Sequence, residues 1–130
     1  MFETYASSIA ALGAVAGLLL LQVLVADVVG ILRRHTPGTA VEGNHSELLF
    51  RVSRTVANAN ESIAVFVCAW LFCVLGGASP ELTAWAAWAY LAFRCLYAVC
   101  YYANWQLLRS VCFGLSVLAL AALVGVGVFA

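Results

Sequence analysis

From about Ser8 to Leu32 the chain runs 25 residues with a single ionisable side chain, Asp27. About 20 such residues in a helix cover the roughly 30 Å of a bilayer's hydrocarbon core, so lipid is the solvent that suits this stretch. Arg33, Arg34, His35 and the turn-forming Pro37-Gly38 close it. A second apolar block, Ile63 to Leu75, is too short to cross alone. Extended back through Leu48, Leu49, Phe50, Val52 and Val56 it becomes a longer helix over about 47–75 with a polar first half, stopped at Gly76-Gly77. Ser79-Pro80-Glu81 reads as an N-cap, a proline at the first helical position and an acid in the first turn, which predicts a third helix over about 80–103. Asn104 to Gln106 marks a tight turn. A fourth span follows over about 107–130, with Gly114, Gly125 and Gly127 among the small residues that let helices approach closely in lipid. The expected fold is an all-α membrane protein, a four-transmembrane-helix bundle. With 65% hydrophobic and 9% charged residues in 130, four crossings and short loops leave no room for a second domain.

Six arginines supply all the basic charge. Arg33, Arg34, Arg51 and Arg109 fall near the first and third connections, whereas the opposite ends carry Glu3 and Glu81 and no base. By the positive-inside rule both those connections are cytoplasmic and both termini outside, in a bacterial inner membrane or endoplasmic reticulum. The first span lacks a positive n-region and is too long for a signal peptide, so it is expected to be retained. The sequons at Asn44 and Asn60 then lie in the cytoplasm and inside a helix, where they are no glycan acceptors. Cys68, Cys73, Cys95, Cys100 and Cys112 form no CxxC pair and read as small packed hydrophobes. His35 and His45 have no partner at metal-ligand spacing, so no metal site is expected. Phosphate loops and nucleophile elbows are missing, and zero formal net charge argues against nucleic acid.

The polar residues that remain inside the spans are ordered. Arg51, Arg54, Asn58 and Glu61 lie at offsets 0, 3, 7 and 10, one face of a helix, and Arg94, Tyr97, Tyr101 and Asn104 repeat those offsets on the third span. Two matching stripes imply one shared site. Glu61 sits about 21 Å from the outer end of its helix, roughly 9 Å inside the cytoplasmic edge of the core, and needs a partner there. An ion pair with Arg54 or Arg94 would hold the helices in register. It leaves Arg51, Arg54, Arg94 and Arg109 in excess over one deep carboxylate, and surplus arginine points to an anionic ligand. Asp27, on the first span, reads as a partner for Arg33 or Arg34.

The segment Arg51-Val-Ser-Arg54-Thr-Val-Ala-Asn58-Ala-Asn60-Glu61 resembles the second-helix signature of the MAPEG superfamily, the membrane-associated proteins in eicosanoid and glutathione metabolism. Arg94-Cys-Leu-Tyr97-Ala-Val-Cys-Tyr101, followed by Arg109-Ser110, is similar to that family's third-helix arginine and tyrosine and the Arg-Ser opening of its fourth helix. The resemblance implies a homotrimer embedded in membrane lipid that binds glutathione as co-substrate between subunits on the cytoplasmic side and uses it on lipophilic electrophiles. Carried over by position, Arg54, Asn58, Glu61, Tyr97, Tyr101 and Arg109 contact glutathione, with Arg51 and Arg94 as further candidates for its carboxylates. Arg109 or Ser110 lies closest to the sulfur, the two positions where catalysis is expected. A thiol of pKa about 8.5 needs roughly 2.7 kcal/mol of preferential thiolate stabilisation to fall by about two units, within the reach of a partly buried arginine. Trp105 and Phe113 are placed to border the entry of an apolar electrophile. The chain departs from the family where Ser62-Ile63-Ala64-Val65 lacks a proline and where Phe113 replaces an aromatic hydroxyl. Three functions stay open on the residues: a glutathione-dependent transferase or peroxidase, a non-catalytic membrane assembly subunit, and a binder of a lipid or fatty-acid anion.

Overall fold

The computed structural model describes residues 2–130 and contains four helices: α1 Ala6–Leu32, α2 Leu48–Leu75, α3 Pro80–Tyr102 and α4 Gln106–Val128. Each is long and apolar enough to cross a membrane. No strand occurs among the described residues. The chain is an integral, multi-pass membrane protein.

The ends of the helices follow from local chemistry. Ser79 accepts a hydrogen bond from the Leu82 amide at 3.4 Å, Pro80 fills the first turn where its missing N–H costs nothing, and Glu81 meets the positive end of α3. The C-termini of α1, α2 and α3 share one device. The second residue past each helix turns into the left-handed region, Arg34 at φ 54°, Gly77 at 71° and Asn104 at 60°. This lets the next amide reach back to the helix: His35 to the Gly30 carbonyl, Ala78 to Cys73 and Trp105 to Cys100, each at 2.9 Å. These are Schellman closures, which satisfy carbonyls that lipid would leave bare. Glycine is the low-strain choice at that position, and Gly77 takes it where the chain must reverse within a few residues.

Helices α2 and α3 touch each other and both remaining helices, whereas α1 packs on α2 and α3 only and α4 on the same two from the other side. The α2–α3 pair is thus the diagonal of the bundle. In one half of the bundle the core is apolar and built on small residues: Ala11 and Val15 of α1, Phe66, Ala69 and Cys73 of α2, Ala86, Ala87 and Tyr90 of α3, Leu120 and Leu123 of α4. Phe66 stacks on Tyr90 at 4.6 Å, and the Tyr90 hydroxyl meets Ser62 Oγ at 2.8 Å. Lipid-facing side chains such as Leu20, Leu24, Val28 and Ile31 cover the outside of α1.

Of the three glycines of α4 expected to allow close packing, Gly127 alone does so. It is buried where a methyl group would come within 2.5 Å of Phe72 Cδ1 and 3.3 Å of Cys73 Sγ, while Gly114 and Gly125 have open space around them. Gly127→Ala is expected to cost about 1–3 kcal/mol by overpacking α2 against α4. Gly125→Ala is expected to be neutral or to gain up to about 1 kcal/mol of helix propensity. Thermal unfolding in one detergent compares the two.

Candidate functional site

The opposite half of the bundle is polar. It is formed by the first half of α2, the second half of α3 and the first turns of α4, all converging because α2 and α4 run antiparallel to α3. Arg94 is its buried centre, only 3% exposed. One guanidinium nitrogen donates to Asn58 Oδ1 of α2 at 2.8 Å, and the other has no partner. The Asn58 amide leans in turn toward Glu61 Oε2 at 3.5 Å, a long contact. An Arg94–Glu61 ion pair, one of the two register-holding pairs the sequence allows, does not form; a relay through Asn58 stands in its place. An amide suits this place because it accepts from the arginine and still donates onward.

From Arg94 a ladder of cations and rings climbs α3 to α4. The Arg94 guanidinium lies 4.5 Å from the Tyr97 ring, Tyr97 meets Tyr101 edge-on at 5.4 Å, and the Arg109 guanidinium lies 4.4 Å from the Tyr101 ring. Positions 94, 97 and 101 repeat at helical spacing, so one face of α3 supplies three rungs, and the short Schellman turn brings Arg109 back as the fourth. Ring faces attract cations, and desolvation strengthens that attraction. The ladder thus links the two arginines through tyrosine rings, with no carboxylate between them.

Asn58, Tyr97, Tyr101, Arg109, Ser110 and Phe113 line a cleft of about 240 Å³. Five of these are residues the sequence reading singled out for glutathione, and Phe113 is the one it assigned to the electrophile's entry. Arg109 is half-buried and keeps one guanidinium nitrogen without a partner. The Ser110 hydroxyl donates to the Gln106 carbonyl one turn back, at 3.0 Å, so its proton is already committed to the helix. Arg109 is the cationic donor at this cleft.

The remaining expected residues lie elsewhere. Arg51 clamps rather than lines: it donates to the Tyr102 carbonyl at 3.3 Å and to the His45 carbonyl at 2.8 Å, tying the start of α2 to the end of α3. Arg54 and Glu61 are exposed on the flank of α2, and Asn104 sits in the turn after α3. Asp27 lines a separate cleft of about 460 Å³ with His35 and Ser53. Trp105, the other residue expected at an electrophile entry, lies at a different recess, with Gln106, Leu107 and Leu108.

One residue of the site escaped the sequence reading. His45, in the loop before α2, places Nε2 2.8 Å from the Tyr101 hydroxyl across 56 positions of sequence. No spacing rule connects a loop histidine to a tyrosine on α3. Burial first, and then the positive charges of Arg109, Arg54 and Arg51, push the His45 pKa below its ordinary value of 6.5. The imidazole is therefore neutral at pH 7. Because the folded pKa is the lower one, the unfolded chain takes up a proton first as pH falls below about 6.5, and the stability this contact supplies is lost on the acid side. In an NMR titration His45 is expected to titrate below the ordinary 6.5, and Arg109→Ala is expected to raise its midpoint.

Searches among curated proteins and among solved structures gave no match. The family comparison did: the model of the MAPEG family matches residues 9–129, all but the extreme ends of the chain. That match spans all four helices but for the first turn of α1, and with them the Asn58–Arg94 relay and the Arg109 cleft. This chain belongs to the MAPEG family.

Proposed function

We propose that the protein is a glutathione-dependent membrane transferase or peroxidase acting on lipophilic electrophiles, with the glutathione thiolate stabilised by Arg109. One observation carries this reading: Arg109, half-buried and with a guanidinium nitrogen that has no partner, lines a cleft whose other polar groups are Asn58, Tyr97, Tyr101 and Ser110. Family membership supports glutathione as the anion in general terms.

The chemistry follows from the charges. Glutathione carries two carboxylates and one ammonium beside its thiol. Arg54 offers a bidentate fork to a carboxylate, and Glu61 offers an anion to the ammonium. Arg94 acts through Asn58, which it holds toward the cleft, and Arg51 acts by fixing the α2–α3 register. An arginine in a partly dry site favours thiolate over thiol, which is what a nucleophilic sulfur requires. The sulfur then attacks the electrophile, or reduces a hydroperoxide, from the side bordered by Phe113. Ser110 becomes a second donor only if it releases the Gln106 carbonyl.

Homotrimerisation belongs to the same proposal. Arg54 and Glu61 are exposed on a membrane-spanning helix, a costly arrangement in lipid that a neighbouring subunit relieves. The cleft of about 240 Å³ is also smaller than the roughly 300–1,000 Å³ usual for small-molecule sites, as expected of a site that a second copy completes.

Thermal unfolding of detergent-purified protein with glutathione tests the reading. At a hundredfold excess over Kd, binding to the folded state adds about 2.7 kcal/mol, and the shift is expected to vanish in Arg54→Ala and Glu61→Gln. No shift at millimolar glutathione in folded protein contradicts it. The mass in mild detergent is expected to be that of three chains, and a monomer or dimer contradicts the trimer.

A further inference from the structure

A wide cleft of the bundle lies at the end remote from the arginine cluster. It measures about 600 Å³ and opens between the start of α1 and the first turns of α3, with Thr4, Ser7, Glu81, Trp85 and Trp88 on its walls. Glu81, Trp85 and Trp88 stand at offsets 0, 4 and 7, one face of α3. The Trp88 indole N–H donates to Ser7 Oγ at 3.1 Å, which fixes that ring against α1 and leaves the Ser7 hydroxyl proton free to be donated. Trp85 is 70% exposed and holds no such contact.

Charge decides what suits the cleft. The described charged residues at this end are Glu3 and Glu81, with no base to neutralise them. A carboxylate beside two indoles is the arrangement that recognises an alkylammonium, by charge attraction together with cation–π contact. Indoles also concentrate at the depth of lipid headgroups, so the cleft opens where such headgroups are the abundant solute. Interfacial position alone does not explain the grouping. Trp105, at the opposite end, lines a smaller recess of about 310 Å³ with Gln106, Leu107 and Leu108 and no acid.

We propose that the Glu81–Trp85–Trp88 cleft binds the ammonium headgroup of a zwitterionic phospholipid, with Ser7 and Thr4 as hydroxyl donors to its phosphate. The site is independent of the glutathione cleft. It gives the outer end of the α1–α3 pair a lipid-specific partner.

Native mass spectrometry of delipidated protein tests this, with phosphatidylcholine, phosphatidylethanolamine or phosphatidylglycerol added back one at a time. The two ammonium lipids are expected to be retained over phosphatidylglycerol. Trp85→Leu and Glu81→Gln are each expected to weaken that retention about fivefold, while Trp105→Leu leaves it unchanged. Thermal midpoints without added lipid establish that the variants are folded. Equal retention of phosphatidylglycerol, wild-type retention by the Trp85 and Glu81 variants, or an equal loss in Trp105→Leu overturns the proposal.

Discussion

A guanidinium that is 3% exposed inside a lipid-embedded bundle must be held by something other than water, and the 2.8 Å bond from Arg94 to Asn58 supplies the hold. It joins α3 to α2, the two helices that every other helix packs against. Removing one partner of a buried charged hydrogen bond is far more costly than the net worth of the pair, because the charge stays behind unsolvated. Asn58 is thereby fixed relative to α3. So are Tyr97 and Tyr101, which rise from the same face of α3 as Arg94, and with them the ring on which Arg109 rests.

The bundle divides its labour along the membrane normal. One half packs alanines and a stacked Phe66–Tyr90 pair into a core without charge. The other half sets Arg94 and Arg109 against tyrosine faces, and Arg94 also against the Asn58 amide oxygen, instead of pairing them with acids. The Arg109 charge is therefore left without a carboxylate at the cleft, as the proposed binding of an anion requires. A design that paired each arginine with a carboxylate would be stable and would have nothing left to offer an anion.

Much of this was legible in the residues. Four spans follow from apolar length, and their stops at Gly76-Gly77 and Asn104 follow from the left-handed geometry that only a few residues adopt without strain. Helical spacing also placed Asn58, Tyr97 and Tyr101 on facing stripes. Spacing could not tell a residue that lines the cleft from one that braces it. Arg51 and Arg94 lie on the same stripes as the cleft-lining Asn58 and Tyr97, yet one clamps the end of α3 and the other is buried behind Asn58. His45 was illegible because a loop conformation carries it to Tyr101, and loops follow no period. The small-residue signal at Gly114 and Gly125 overstated close packing within the bundle, since both have open space where a side chain would stand.

Proton release on glutathione binding tests most directly whether Arg109 stabilises a thiolate. Titration calorimetry at pH 7 in buffers of differing ionisation enthalpy counts the protons released per glutathione bound. A pKa lowered by about two units from 8.5 predicts release of most of one proton, with Arg109→Ala still binding glutathione but releasing little and Ser110→Ala close to the parent. Binding with no proton release in the parent protein, or release that survives Arg109→Ala, contradicts the assignment.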